Sequence, residues 1–259
     1  MGALLTGAAV QFTPDANTLI FAILACILVI AVIFVSFTAE TAPKRAGALR
    51  SLMPILGLPL NIRSEFVAGI PVHIAGWMFP AFFLGLSPVV LRLHFGLDGG
   101  LIAGFTAFLG PFAAAVSGFT FAQHPARRST LVGMGLVFVG IAAVLVGVNE
   151  KWLLAVWLGA LLGGVGFGAS FGGQFRLIAQ HVHAHQRAGV FSGIYTAAYL
   201  AFSVPVIIAG QLLPLIGLLP TLQAYAVTIM TFAALAGVVQ TMQLRKHAAI
   251  KPLRVDASA

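Results

Sequence analysis

The stretch TLIFAILACILVIAVIFVSF, residues 18–37, contains no charged side chain, and it decides how the rest of the chain is interpreted. An α-helix needs about 20 apolar residues to cross a hydrocarbon core of about 30 Å. This stretch therefore predicts a membrane-spanning helix. The composition agrees, because 60% of the 259 residues are hydrophobic and only 8% are charged, whereas soluble domains contain about 25% charged residues.

Six further apolar stretches are long enough to cross a bilayer, and they are residues 66–91, 99–121, 130–148, 152–178, 188–211 and 221–243. Lipid offers no partner to unpaired backbone groups, so we expect helices, since a transmembrane barrel would show short alternating strands. Membrane helices tolerate internal prolines as kinks, and the spans contain Pro71, Pro80, Pro88, Pro111 and Pro205. The predicted fold class is an all-α polytopic membrane protein with about seven transmembrane helices.

Basic residues are distributed unequally among the connections between these stretches. All but two of the 14 Lys and Arg residues lie in alternate connections, and the exceptions are Arg92 and Lys151. The positive-inside rule produces this alternation, so we expect the basic connections and the C-terminus in the cytoplasm, with a bacterial cytoplasmic membrane as the location. The net charge of +8 is then explained by orientation and contact with anionic lipid in the bilayer, and no nucleic-acid partner is expected.

The chain divides into four predicted segments. Residues 1–37 hold the end of one helix and the whole of the next, 38–65 form a cytoplasmic loop, 66–243 form a six-helix bundle, and 244–259 form a cytoplasmic tail. Residues 2–12 are apolar but too short to span, and we interpret them as the last turns of a helix whose beginning is absent. The loop is either an interfacial helix lying on the membrane or a flexible linker.

Three local features, with the order of the spans, point to a known family. They are Glu40-Thr41 with Pro43 after the first span, Ser117-Gly118 through Arg127-Arg128 between two spans, and the run GVFSGIYTAAYLAFSVPVIIAG at 189–210. These features resemble the proline/glutamate/threonine signature, the repeated glycine–acid–basic cytoplasmic motif and the eleventh helix of major facilitator superfamily transporters. The whole chain resembles the C-terminal half of such a protein, preceded by the sixth helix and a stump of the fifth.

The second of these motifs departs from the family pattern. Ala122 stands where the family has an acid four residues after the glycine, here Gly118, and Pro125 lies near the basic pair in place of a second glycine. We therefore expect no charge relay here, and we interpret Arg127 and Arg128 as cytoplasmic anchors.

The resemblance implies a function. Transporters of this family move a solute between two halves by alternating access, so the chain is expected to be a truncated part of a secondary active transporter for a small solute or drug, coupled to a proton or ion gradient. A missing N-terminal half or a homo-oligomer would then supply the second wall of the path. The alternative is a non-transporting membrane fragment or assembly partner that needs another half.

Five residues are candidates for binding the small-molecule substrate: His73, Trp77, Gln174, Tyr195 and Tyr199. Polar groups at membrane depth are costly and usually face a watery cavity, and His73 is the one ionisable side chain near the interior of a span. Trp77 follows it by four residues, and the two tyrosines are also four apart, so each pair shares a helix face. For all five, packing or hydrogen bonding to another helix remains the alternative.

The run LGALLGGVGFGASFGGQF, residues 158–175, is the most glycine-dense part of the chain. Small residues four apart let helix backbones approach closely, and the pattern is formed by Gly159 with Gly163, and by Gly164 with Gly168 and Gly172. Close helix packing is predicted. A phosphate-binding loop is not, because no Lys-Ser/Thr pair follows.

Other classes of site are not predicted. No nucleophile with a base, no pair of deep carboxylates and no dinucleotide fingerprint occurs, so an enzyme and a bound cofactor are not expected. His181, His183 and His185 are interpreted as a solvated loop and not as a zinc site, because no carboxylate or cysteine lies nearby. Arg176 is expected to extend to the membrane interface.

Overall fold

The computed structural model describes residues 1–39, 60–180, 182 and 186–250. Throughout these residues the regular elements are helical, and seven helices are long and apolar enough to cross a membrane. The predicted fold class is therefore confirmed, and the chain is an all-α, multi-pass membrane protein.

The helices follow the predicted spans in order, and they are α1 (Gly2–Phe12), α2 (Ala16–Ser36), α3 (Leu60–Ala81), α4 (Ser87–Phe95), α5 (Gly100–Thr120), α6 (Ala126–Asn149), α7 (Leu153–Ala179), α8 (Arg187–Ile216) and α9 (Leu218–Ile250). A π-helical turn, Phe82–Leu86, joins α3 to α4 without a break, so the three pieces form one span. Segment 2–12, predicted as helical turns too short to span, is helix α1.

Two predicted boundaries differ from the structure. Residues 60–65, expected to end the cytoplasmic loop, begin α3, and residues 244–250, expected to begin the tail, continue α9. Charged residues lower the mean hydropathy and so end a predicted span. A helix can nevertheless continue beyond the hydrocarbon core, where water solvates the charged side chains. Residues 40–59, with Glu40, Thr41 and Pro43, lie outside the described residues.

The π-helical turn is explained by Pro88. Ser87 donates its backbone N–H to the carbonyl of Phe82, five residues earlier. Pro88 has no N–H to give to the next carbonyl in that register, that of Phe83. The hydroxyl of Ser87 donates to this carbonyl instead, at 2.5 Å. Other prolines lie inside helices as predicted, and they are Pro71 and Pro80 in α3, Pro111 in α5, and Pro205 in α8. Pro214, beyond the predicted end of its span, also lies inside α8.

Glycines bring α6 and α7 into direct backbone contact. A Cβ on Gly140 of α6 would lie 2.5 Å from the backbone nitrogen of Gly163 and 2.8 Å from the carbonyl oxygen of Gly159. On another side of α7, a Cβ on Gly164 would overlap the carbonyl oxygen of Gly110 on α5, and a Cβ on Gly168 would overlap that of Ala114. The predicted close packing is confirmed for these four glycines of α7.

Gly172, the last member of the predicted pattern, does not take part. A Cβ added to it would meet nothing within 4 Å. The four-residue glycine spacing therefore extends one helical turn beyond the close contact between α7 and α5.

The ends of the spanning helices define two ends of the bundle. The basic end, where α3, α6 and α8 begin and α5, α7 and α9 finish, contains Arg63, Arg127, Arg128, Arg176, Arg187, Arg245 and Lys246 among the described residues. The opposite end contains Arg92 and Lys151. There His94 Nε2 lies 2.6 Å from the carbonyl oxygen of Val148, and Gln223 donates to the Asn149 side chain at 2.9 Å.

The two N-terminal helices lie beside the bundle in different ways. α1 packs on α5, where Gly7 meets the backbone of Gly100 and Gly104. α2 packs on α1, and Ala16 is its one buried residue. The remaining side chains of α2 are mostly apolar and mostly exposed, as expected for a helix surrounded by lipid.

Candidate functional site

Aromatic rings from three helices meet around Trp77 of α3. The ring centroid of Trp77 lies 5.3 Å from that of Phe167 and 5.5 Å from that of Phe171, both on α7. The centroids of Tyr199 and Phe202 on α8 lie 6.1 Å and 6.4 Å away. We call this surface the aromatic face, and its members are His73, Trp77, Phe167, Phe171, Tyr195, Tyr199 and Phe202.

Four of the five predicted substrate-binding residues belong to this face. His73 contacts Phe171 with centroids 6.2 Å apart, and Tyr195 contacts Tyr199 at 6.4 Å. Residues four apart share a helix side, which explains why His73 accompanies Trp77 and Tyr195 accompanies Tyr199. The structure thus brings together side chains that the sequence places on separate helices.

The phenylalanines of α7 were missed in the sequence. Phe167, Phe171 and Phe175 are four residues apart, so a signal was present. It was obscured because the same run contains the glycines that face α5 and α6. The side of α7 between these contacts presents the rings to α3 and α8, and Phe175 also stacks on Phe191 of α8 at 4.7 Å.

Polar atoms without protein partners lie within the aromatic face. His73 is 4% exposed, and neither of its ring nitrogens has a hydrogen-bond partner in the protein. The indole Nε1 of Trp77 is also buried and unpartnered. A buried polar group without a partner costs about 1–3 kcal/mol, so these atoms favour a state in which something else binds them.

Exposure changes from one side of the face to the other. Tyr195 is 41% exposed and Tyr199 is 62% exposed, whereas His73 is buried. Trp77 lies between them, with a partly exposed ring and a buried nitrogen. The aromatic face is therefore exposed along α8, at Tyr195 and Tyr199, and buried on α3, at His73.

A second set of polar side chains joins four helices near the basic end, and we call Glu65, Arg127, Gln174 and Gln240 the polar network. Arg127 of α6 forms an ion pair with Glu65 of α3, with Nη2 and Oε1 2.5 Å apart. Its Nη1 donates to Oε1 of Gln240 on α9 at 2.9 Å. Gln240 in turn donates to the carbonyl of Ala68 at 3.0 Å and to the Gln174 side chain at 3.3 Å.

Gln174 belongs to this network and not to the aromatic face. Its side chain is fully buried, and its Nε2 donates to the backbone carbonyl of Glu65 at 3.1 Å. Because its oxygen accepts from Gln240, both ends of the amide are bonded within the protein. The fifth predicted substrate-binding residue therefore connects helices in this conformation.

The structure corrects the interpretation of the basic motif residues. Arg128 is exposed, as expected for a surface anchor, but Arg127 is buried and ion-paired. Gly118 is exposed, and a Cβ there would meet nothing within 4 Å. The ion pair escaped prediction because Glu65 precedes Arg127 by 62 residues and was assigned to the cytoplasmic loop.

Arg176 also differs from its predicted role of extending to the interface. Its guanidinium donates to the carbonyl of Ala122, to that of Phe121 at 3.0 Å and to the hydroxyl of Ser129 at 3.3 Å. These bonds connect the end of α7 to the turn between α5 and α6 and to the first turns of α6. His181, His183 and His185 lie outside the described residues.

Comparison with known proteins adds no relative. No family model matches the chain, and no curated protein or solved structure is significantly similar to it. The fold and the two sites define the class of the protein as a multi-pass helical membrane protein with an aromatic face and a polar network.

Proposed function

We propose that this protein is a secondary active transporter of the major facilitator type, which moves a small solute by alternating access. The observation that carries the proposal is the aromatic face, where His73 and Trp77 keep unpartnered polar atoms among rings of three spanning helices. Polar groups at membrane depth are expensive and mark solute or ion pathways. Packing alone would be served better by apolar side chains.

In this proposal the face forms one wall of the solute path. The exposed tyrosines of α8 meet the solute first, and Trp77 stacks on it. The two ring nitrogens of His73 have no partner in the protein, and each can hold or release a proton. His73 is therefore the residue proposed to couple transport to a proton gradient. A second wall would come from another half or from a second copy of the chain.

The proposed orientation places the basic end in the cytoplasm of a bacterial cell, by the positive-inside rule. In a Cys26→Ser background, single cysteines at Lys151 and at His124 report on opposite ends, since both positions are exposed. We expect a membrane-impermeant maleimide to label K151C in intact cells and H124C only after permeabilisation. The reverse labelling pattern would overturn the orientation.

Transport activity is tested with the purified chain in proteoliposomes that carry a pH gradient and are offered a panel of radiolabelled solutes. We expect Tyr199→Ala to lower gradient-driven transport by up to about tenfold, because an aromatic contact contributes about 0.5–1.5 kcal/mol. His73→Ala should lower it at least as much, because it removes the group proposed to couple transport to the gradient. Membrane insertion, measured by quantitative blotting, should be unchanged. Phe21→Ala is the matched control, since Phe21 is exposed on α2 away from the face. Unchanged transport in both variants would exclude them from the path.

The alternative function is a membrane protein that transports nothing alone and serves as an assembly partner. The observation in its favour is α2, an apolar spanning helix that buries only its first residue against the rest of the described chain. Light scattering in detergent distinguishes the two proposed functions, because a solute path with both walls made from this chain requires a dimer. A monomer without transport activity supports the alternative.

A further inference from the structure

The geometry of the aromatic face points to its ligand: we infer that it binds an uncharged, planar aromatic solute that carries a hydrogen-bond acceptor. This inference rests on the proposed function, in that the face is taken as the wall of a solute path. Binding can nevertheless be measured without transport.

The shape of the face favours flat rings. Trp77 meets Phe167 and Phe171 nearly at right angles, with interplanar angles of 77° and 88°. Tyr199 lies against the indole at 46°. Edge-to-face and offset contacts of this kind are the arrangements that the ring quadrupole favours, and a planar solute beside Trp77 would reproduce the contact that Tyr199 now makes.

The charge of the surroundings disfavours ions. The members of the face are aromatic throughout, with neither a carboxylate nor a permanently charged cation among them. Glu65, the described carboxylate on α3, is already paired with Arg127. While His73 is neutral, an ion taken from water into such a place has no opposite charge to meet. For a compact, strongly hydrated cation, attraction to the ring faces is weaker than the loss of hydration.

Hydrogen bonding then selects among neutral solutes. The indole N–H of Trp77 can only donate, and it is buried without a partner. A solute with an acceptor satisfies this donor, whereas a pure hydrocarbon leaves it unpaired. Tyr199 is the most exposed ring in contact with Trp77, so it can move aside with the least loss of packing.

Four bicyclic probes of similar size separate these requirements: quinoline, naphthalene, N-methylquinolinium and naphthoate. Equilibrium dialysis compares nanodiscs that hold the protein with empty nanodiscs, which removes partition into lipid. We expect saturable binding of quinoline. Binding should be at least about tenfold weaker for the cation, whose methylated nitrogen cannot accept a hydrogen bond from Trp77, and for the anion, which finds no opposite charge while His73 is neutral.

Trp77→Phe isolates the hydrogen bond, since it keeps a ring and removes the N–H. We expect it to weaken quinoline about fivefold, the effect of one neutral hydrogen bond, and to leave naphthalene unchanged. Trp157→Phe is the matched control, because the indole of Trp157 donates to the hydroxyl of Thr106, at 2.9 Å, between α5 and α7. It should alter neither probe.

A second variant guards against misfolding of Trp77→Phe. The chain has 3 tryptophans, so replacing Trp152 and Trp157 by Phe leaves Trp77 as the sole tryptophan, which can be excited at wavelengths that tyrosine does not absorb, in an intact face. Quinoline should then quench its emission along the dialysis binding curve, and quenching that does not saturate contradicts the inference.

Each result supports or overturns the inference. Tighter binding of N-methylquinolinium than of quinoline overturns the choice of a neutral solute, and equal losses of quinoline and naphthalene in Trp77→Phe overturn the hydrogen bond. Gradient-driven transport of another solute without quinoline binding overturns this inference and leaves the proposed function standing. Quinoline binding by a chain that transports no solute of the panel supports this inference and overturns the proposed function.

Discussion

Gly140→Val is expected to destabilise the protein by about 3 kcal/mol, at the upper end of the cost of overpacking. The first added carbon would lie 2.5 Å from the backbone nitrogen of Gly163 and 2.7 Å from its Cα. Both are main-chain atoms, so no side chain can rotate away, and the two helices must separate. Separation would also disturb the neighbouring glycine contacts along α6, such as that of Gly133 with Gly166, where a Cβ would lie 2.6 Å from the carbonyl oxygen.

The measurement is the midpoint of SDS-induced unfolding, followed by far-UV circular dichroism in mixed micelles. Gly135→Val is the matched control, because it makes the same substitution on the same helix where a Cβ meets nothing within 4 Å. We expect the control to be as stable as the parent or slightly more stable, because valine meets no neighbour there and is a better helix former than glycine. Equal loss of stability in both variants would contradict a specific contact between α6 and α7.

The spans could be predicted because length and polarity alone determine them. A stretch as long and apolar as 18–37 does not suit a water-soluble domain, so it predicts a membrane span. Its helix, Ala16–Ser36, begins and ends within two residues of the prediction. The faces of a helix are harder to assign. Lipid and the protein interior are both apolar, so the sequence of α7 shows small residues four apart but not which neighbour each one meets.

The aromatic face was partly predictable for a local reason. Polar or aromatic side chains four apart, such as His73 with Trp77, are visible in the sequence as shared helix sides. The polar network has no such signal, because Arg127 contacts Glu65 and Gln240, which are 62 and 113 residues away. Gln174 looked like a substrate ligand for the same reason, since an isolated polar residue does not reveal its partner.

Arg127→Met is expected to lower the free energy of unfolding by about 3 kcal/mol, because removing one member of a buried ion pair leaves the other charge uncompensated. The lower end of the usual range applies, since the side chains of Arg127 and Glu65 remain 10% and 12% exposed and water can reach them in part. Oε1 of Gln240 would also lose its donor. Arg128→Met is the matched control, and an exposed substitution of this kind should change stability by less than about 0.5 kcal/mol.

A double-mutant cycle separates the ion pair from the other contacts of Arg127. Glu65→Gln keeps the shape of the side chain and removes its charge, so the double variant with Arg127→Met contains no unpaired charge. We expect it to be destabilised by at least about 1 kcal/mol less than the sum of the single variants, as coupled neighbours are. Additive losses would mean that the ion pair contributes nothing beyond the separate packing of each side chain. A positive coupling would establish that α3 and α6 are joined electrostatically at the basic end.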